Sequence, residues 1–231
     1  MKGIFVTGTD TGVGKTVISG LLGRYLLDKG YNVVTQKWIQ TGCRDSIASD
    51  IKLHLKIMHR ARNDLKGYSR LISPYVFRLP GSPHLASHIE NKIINPDKIK
   101  ESFKLLSSHF DFTIAEGIGG VLVPFNRKCL VIDIVRELDL AVLVVAQNKL
   151  GVINHTLLTI EALEKRKIKI LGIIFNNPKN EDSRIVRDNP LIIKTLANLK
   201  VFGALPWIEN YDKLYERFAP IGKRIYKALD I

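Results

Sequence analysis

Cysteine is scarce in this chain of 231 residues, and membrane-length apolar runs, repeats and linker-like tracts are missing. Each shortage excludes something. The two cysteines, Cys43 and Cys129, lie far apart and form no CxxC pair. That argues against a disulfide framework and against thiol-based metal or redox work, and two lone thiols fit a reducing cytoplasm. No apolar stretch approaches the roughly 20 residues that span a bilayer. The longest, such as Leu140 to Ala146, have strand length. The N-terminal apolar segment is four residues long and runs straight into a glycine loop, so no secretion signal is expected. No low-complexity tract or composition shift divides the chain. The expectation is a single domain over residues 1–231, cytoplasmic and without a membrane partner.

What is abundant is positive charge, with a net +13. A nucleic-acid surface would gather basic residues on one face. Here Lys29, Lys52, Lys98, Lys100, Lys167, Lys169 and Lys223 are spread thinly, and aromatics do not interleave with them. Charge of this kind solvates helices and says little about function, so no nucleic-acid partner is expected.

Hydrophobic residues make up 45% of the chain, enough for a continuous core, and they alternate between two patterns. Strand-like runs occur at Gly3 to Thr7, Tyr31 to Trp38, Asp111 to Glu116, Leu140 to Gln147, Ile168 to Asn176 and Val201 to Leu205. Helix-like segments separate them. Val17 to Lys29 is one; Gly151 to Arg166, with Ile153, Leu157, Ile160 and Leu163 on one face, is another. Asn95 followed by Pro96 marks a further helix start by cap and first-turn chemistry. Strands apolar on both faces and separated by helices predict a three-layer α/β fold with a mostly parallel central sheet flanked by helices. Residues 39–95 hold most of the loop-like punctuation, where excursions that touch a ligand are expected.

Thr7-Gly8-Thr9-Asp10-Thr11-Gly12-Val13-Gly14-Lys15-Thr16 sits directly between the first strand and the first helix. A phosphate loop needs that context: glycines let backbone N–H groups curl around phosphate oxygens, and the new helix adds its positive end. Thr11, Gly12, Val13, Gly14, Lys15 and Thr16 are therefore the candidate nucleotide-binding residues, Lys15 as a point charge and Thr16 as a Mg²⁺ ligand, and the α/β fold is expected to be of the P-loop NTPase kind. The spacing is unusual, because the standard first glycine would stand at Thr9 and Gly8 is one place early.

Two further strand tips carry charge. Lys37 ends the second strand, and Thr41-Gly42 after it offers a hydroxyl and a pliable backbone to a polar substrate. Taken alone, Lys37 also reads as a surface lysine at a strand end. Glu116 ends the third, followed by Gly117, Ile118, Gly119 and Gly120, where the backbone can approach a transferring group. A carboxylate beside a phosphate loop is a natural Mg²⁺ ligand. Asp50, opening the helix-like segment Asp50 to Met58, is the second candidate carboxylate; Asp45 competes with it, and a simple N-cap role for Asp50 stays open.

Taken together these pieces resemble the dethiobiotin synthetase family. Further pieces lie in family order along nearly the whole chain: Lys149-Leu150-Gly151-Val152-Ile153-Asn154-His155, Asn176-Asn177 and Pro206-Trp207-Ile208. Trp38 stands where proline often follows the strand-end lysine in that family. The resemblance implies an ATP-dependent ligase of biotin biosynthesis that joins 7,8-diaminononanoate and CO₂ into dethiobiotin, releasing ADP and phosphate. One amine is carbamated, the carbamate attacks the γ-phosphate, and the second amine closes a cyclic urea.

In that reading Lys37 and Lys15 are catalytic, stabilising charge on carbamate and phosphate, and Thr16, Asp50 and Glu116 hold Mg²⁺. Asp50, Glu116, Gly117, Ile118, Gly119, Asn176, Asn177, Pro206, Trp207 and Ile208 join the loop in binding nucleotide, with Asn176 and Asn177 reading the adenine edge and either Glu209 or Asp212 also touching the nucleotide. Thr11, Lys37, Thr41, Leu150, Gly151 and Asn154 bind the diamine, the last three holding its carboxylate across the interface of a homodimer. A partition or positioning ATPase acting with DNA or protein partners is the alternative, and the high net charge is its support. Asp10 argues against it, since one subclass of such ATPases carries a lysine at that place.

Overall fold

The structure, a computed structural model, describes residues 3–231. β1 (Gly3–Gly8) feeds through the glycine loop into α1 (Lys15–Asp28), which returns to β2 (Val33–Lys37). A series of short elements follows: β3 (Ile39–Gln40), α2 (Ser49–Ile57), a 3-10 turn at Arg62–Leu65, α3 (Ser69–Ile72), β4 (Tyr75–Val76) and α4 (Pro83–Ile89). α5 (Pro96–His109) leads to β5 (Phe112–Glu116), and the hairpin of β6 (Pro124–Asn126) and β7 (Cys129–Leu130) precedes α6 (Val131–Glu137). Strand and helix then alternate regularly through β8 (Ala141–Gln147), α7 (Val152–Glu164), β9 (Ile170–Asn176), α8 (Ser183–Ala197), β10 (Val201–Leu205) and α9 (Tyr211–Leu229).

Six strands form one sheet in the order β10-β9-β8-β1-β5-β2, every neighbouring pair parallel. Parallel neighbours need crossovers, and here each crossover contains at least one helix, so both faces of the sheet are covered. Alternation along β1 shows the consequence. Phe5 packs into the layer with Trp38, Phe103, Phe125 and Phe175, while Ile4 and Val6 pack into the opposite layer with Leu22, Ile174 and Phe218. All of these side chains are essentially buried, which is why the strands read as unbroken apolar runs rather than alternating ones.

The register brings the strand ends into line. Val6 and Lys37 both pair with Glu116, Gly8 with Val145, and Gln147 and Leu205 both with Asn176. The loops that leave these carboxyl ends therefore share one edge, the usual binding crevice of an open α/β sheet.

Two segments depart from the sequence reading. Residues 39–95 hold further short helices besides α2, which matches the helix-like segment expected from Asp50: Ile51, Leu55, Leu65 and Ile72 pack with Val34 and Leu106 in a third, smaller core. α9, which no strand-and-helix pattern announced, is the longest helix among the described residues. Its Leu214, Phe218, Ile221 and Ile225 are buried against the sheet, but Pro220 inside it masks the helical signal. α5 starts as its sequence predicts, with the Asn95 side chain accepting from the Asp97 N–H at 2.9 Å and Pro96 in the first turn.

Candidate active site

The loop between β1 and α1 is shaped by close approaches. Gly14 is the N-cap of α1 with φ of 98°, and a Cβ there would lie 2.1 Å from Asn176 Nδ2. That amide instead donates to the Val13 carbonyl at 2.6 Å, tying the tip of β9 to the loop. Gly8 accounts for the long spacing. A Cβ there would meet the Asp10 carbonyl at 2.7 Å and Lys15 Nζ at 2.9 Å. The Lys15 chain folds back through that space and donates to the Asp10 carbonyl at 2.9 Å. Among the described residues, the backbone N–H groups of Gly12, Val13, Gly14, Lys15 and Thr16 have no protein acceptor. Unpaired amides at a helix start, with an ammonium behind them, make an anion cradle. Lys15 is buried; burial first, and the positive charge of Lys37 second, lower its ammonium to about 8, against opposing pulls from Glu116, Asp50 and Asp10.

Beside the cradle lies a buried charge array. Lys37 Nζ is 2.7 Å from Glu116 Oε1, from Asp50 Oδ2 and from the Gly117 carbonyl. Three acceptors for three ammonium protons is full satisfaction, the condition on which a buried ion pair is tolerated. Glu116 is 0% exposed. Its Oε1 also accepts from the Thr16 hydroxyl at 3.0 Å, and its Oε2 lies 2.7 Å from His54 Nε2. Burial alone would push the Glu116 carboxyl up, but Lys37 and His54 outweigh it and hold the group well below the usual carboxylate range. Burial would likewise lower Lys37, and the Glu116 and Asp50 carboxylates overcome it and raise the ammonium above its ordinary value.

The array bears on the questions the sequence left open. Asp50 is not a cap: α2 starts after Ala48, Asp50 is its second residue, and its carboxylate reaches Lys37. Asp45 is exposed and pairs with Lys52, away from Glu116. Asp212 pairs with Arg24 at 2.6 Å and with His59 at 3.0 Å. Glu209 instead lines a cavity of about 340 Å³ that opens beside the loop.

That cavity is walled by Gly12, Gly14, Asn176, Asn177, Pro206 and Ile208, with Trp207 at its rim and 59% exposed. Beneath it the buried Asn148 amide donates to Asn177 Oδ1 at 2.9 Å and to the Val186 carbonyl at 2.8 Å, and its Oδ1 accepts from Asn189 at 3.0 Å. With Asn176 Nδ2 and Asn177 Oδ1 so engaged, each side chain keeps one group unbonded among the described residues: an acceptor on Asn176 and a donor on Asn177.

Other expected residues sit apart. A Cβ on Gly119 would come within 3.5 Å of the Thr11 hydroxyl, so those two face each other near the loop. Ile118 is half-buried beside them. Thr41 follows β3, half-buried, its carbonyl accepting from Gln40. Leu150, Gly151 and Asn154 are exposed at the start of α7 and do not line the cavity; Leu150 is 79% exposed. His54 and Asn148 are the side chains that sequence reasoning missed. For His54 a signal existed: it stands four residues after Asp50 on the same helix, so both point the same way.

The cluster of Thr16, Asp50 and Glu116 offers hard oxygen donors, which suits a small divalent cation. Among the described residues, no group of three or more His, Cys, Asp or Glu is arranged to hold a metal, and one of these three donors is a hydroxyl. Among the described residues, no helix is long and apolar enough to cross a membrane.

A family model described as an AAA domain matches residues 2–214. The ATP-dependent dethiobiotin synthetase BioD of Chlorobaculum tepidum is 38% identical, over 90% of this chain and 87% of its own. That of Thermodesulfovibrio yellowstonii is 36% identical, over 99% and 96%. BioD 2 of Haemophilus ducreyi is 39% identical, over 84% and 90%. Among solved structures, pNOB8 ParA bound to nonspecific DNA superposes with a TM-score of 0.61 at 15% identity, covering 99% of this chain and 98% of its own. The Pyrococcus furiosus cell division ATPase MinD does so with 0.59 at 18%, covering 98% of each. Those two likenesses show the fold alone.

Proposed function

The chain belongs to the ATP-dependent dethiobiotin synthetase family, and from that membership we propose how its own residues divide the work. The reaction is the ATP-dependent ring-closing carboxylation of 7,8-diaminononanoate with CO₂, giving dethiobiotin, ADP and phosphate. The observation that carries the assignment of roles is the buried Lys37 ammonium, 2.7 Å from both Glu116 and Asp50 and adjoining the phosphate loop.

Phosphoryl transfer asks little covalent chemistry of a protein; positioning and charge stabilisation dominate. The unpaired amides of residues 12–16 and the Lys15 ammonium receive the β- and γ-phosphates. Lys37, adjoining the same centre, neutralises the carbamate as it attacks, in a setting where desolvation strengthens each interaction. Thr16, Asp50 and Glu116 would hold Mg²⁺, which would supply positive charge to offset that of the phosphates. The adenine edge meets the unbonded acceptor of Asn176 and donor of Asn177, with Pro206, Trp207 and Ile208 flanking the base and Glu209 beside it. Gly117, Ile118 and Gly119 let the backbone approach the transferring group, and Thr11 and Thr41 hydrogen-bond the diamine.

Leu150, Gly151 and Asn154 are exposed and away from their own cavity, which suits service to a second copy. In the homodimer so formed, the N–H groups that open α7 bind the carboxylate of the neighbour's diamine. The cytoplasm is the compartment that fits these substrates.

The test is direct. Pure protein is incubated with ATP, Mg²⁺, bicarbonate and diaminononanoate, and the cyclic urea is sought by mass, with ADP release dependent on the diamine. Hydrolysis stimulated by double-stranded DNA and indifferent to the diamine would overturn the reading. Sedimentation that finds a fully active monomer would remove the shared site.

A further inference from the structure

His54 touches the Glu116 carboxylate and has no part in the roles given above. It is 0% exposed, and α2 carries it one turn after Asp50, so a single helix face delivers both side chains to one centre. Asp50 reaches Lys37 and His54 reaches Glu116 Oε2, each at 2.7 Å. An ionised carboxylate only accepts, so Nε2 is the donor, and Nδ1 is left without a partner among the described residues. Burying an unpartnered ring nitrogen is unfavourable. Packing alone would be served better by an apolar side chain of similar size, so the hydrogen bond to Glu116 is what the histidine adds.

We propose that His54 is a positioning residue for the divalent cation. Its Nε2–H pins Glu116 Oε2, which fixes the carboxylate rotation so that Oε1 stays on Thr16 and Lys37, in the cluster that would hold the cation. The same contact seats α2 so that Asp50 stays within reach. This rests on the reading of Glu116 as a metal ligand, and the test separates the two. Partners that orient a ligating carboxylate are worth about 10- to 100-fold in metal affinity.

The full chain is prepared with His54→Leu, His54→Gln and Glu116→Gln, and Mn²⁺ binding in the presence of a non-hydrolysable ATP analogue is followed by loss of the free-ion electron paramagnetic resonance signal. His54→Leu is expected to weaken Mn²⁺ about tenfold or more, while its affinity for the analogue without metal is unchanged. His54→Gln, whose amide N–H reaches the place of Nε2, recovers most of the loss. Wild-type metal affinity in His54→Leu, beside a weakened Glu116→Gln, overturns the role of His54. Wild-type affinity in Glu116→Gln instead removes Glu116 from the metal site and takes the premise with it. If His54→Leu fails to fold, His54→Gln is compared with His54→Asn, whose shorter amide cannot reach Oε2; equal metal affinity in those two overturns the proposal.

Discussion

Gly14→Ala places a methyl group where Asn176 Nδ2 now lies 2.1 Å away, at a residue with φ of 98°. Two costs add. The left-handed backbone costs an alanine about 1–2 kcal/mol, offset by about 0.4–1 kcal/mol from reduced freedom of the unfolded chain. The side chain of Asn176 must also swing away and lose its bond to the Val13 carbonyl, worth about 1 kcal/mol, with a further ~1–3 kcal/mol for the overlap itself. Gly12 supplies the control. Its φ is 74° and nothing lies within 4 Å of a Cβ there, so Gly12→Ala carries the backbone cost alone. In urea unfolding, Gly14→Ala is therefore expected to lose about 2–4 kcal/mol more than Gly12→Ala. In an Asn176→Ala background that excess should vanish, which a double-mutant cycle reads as coupling. If Gly14→Ala costs the same with and without Asn176, the steric reasoning is wrong.

Three other outcomes are expected. Because burial and Lys37 lower Lys15 to about 8, metal-free ATP binding should take up close to one proton at pH 9 and about one tenth of one at pH 7, once the phosphates restore the ammonium; calorimetry in buffers of different ionisation enthalpy reads this, and Lys15→Arg should abolish it. The sign for stability follows: a depressed lysine destabilises the fold most below pH 8, and the penalty fades as pH rises from about 8 to the ordinary 10.5. Lys37→Met takes the shared ammonium from the buried Glu116 and the partly buried Asp50 and should cost about 3–5 kcal/mol at pH 7. Protonation of Glu116, no longer held low by Lys37, should shrink that loss as pH falls toward 4, as urea midpoints across pH will show. Trp207→Ala, at an exposed rim, should weaken nucleotide binding while leaving the thermal midpoint nearly unchanged.

The parallel sheet was legible because its strands are buried on both faces: Leu140 to Gln147 and Ile168 to Asn176 begin within two residues of β8 and β9 and end with them. Strand order was not, since nothing in β1 names β5 and β8 as its neighbours. Of the short helices in residues 39–95, α2 was legible as the segment from Asp50 to Met58, while α3 and α4 escaped for a physical reason. Elements of four to seven residues are held by tertiary bonds, such as Gln36 Nε2 to the Leu71 carbonyl and the Ala48 N–H to Ser73 Oγ, rather than by local propensity. In the site, Lys15 and Thr16 were legible at the helix start after a glycine loop, and Lys37 and Glu116 as charges at strand ends. His54 carried only its spacing from Asp50, and nothing in the sequence set Glu116 opposite it.

One consequence of the array of Lys15, Lys37, Asp50 and Glu116 reaches beyond those four residues. At neutral pH two ammonium groups and two carboxylates cancel, so the pocket floor is electrically even inside a protein of net charge +13. A triphosphate is then captured by short, directional donors instead of by surplus positive potential, and those act well inside the ~8 Å over which physiological salt screens charge. Ionic strength should thus govern what the outer surface attracts and barely alter the grip on nucleotide.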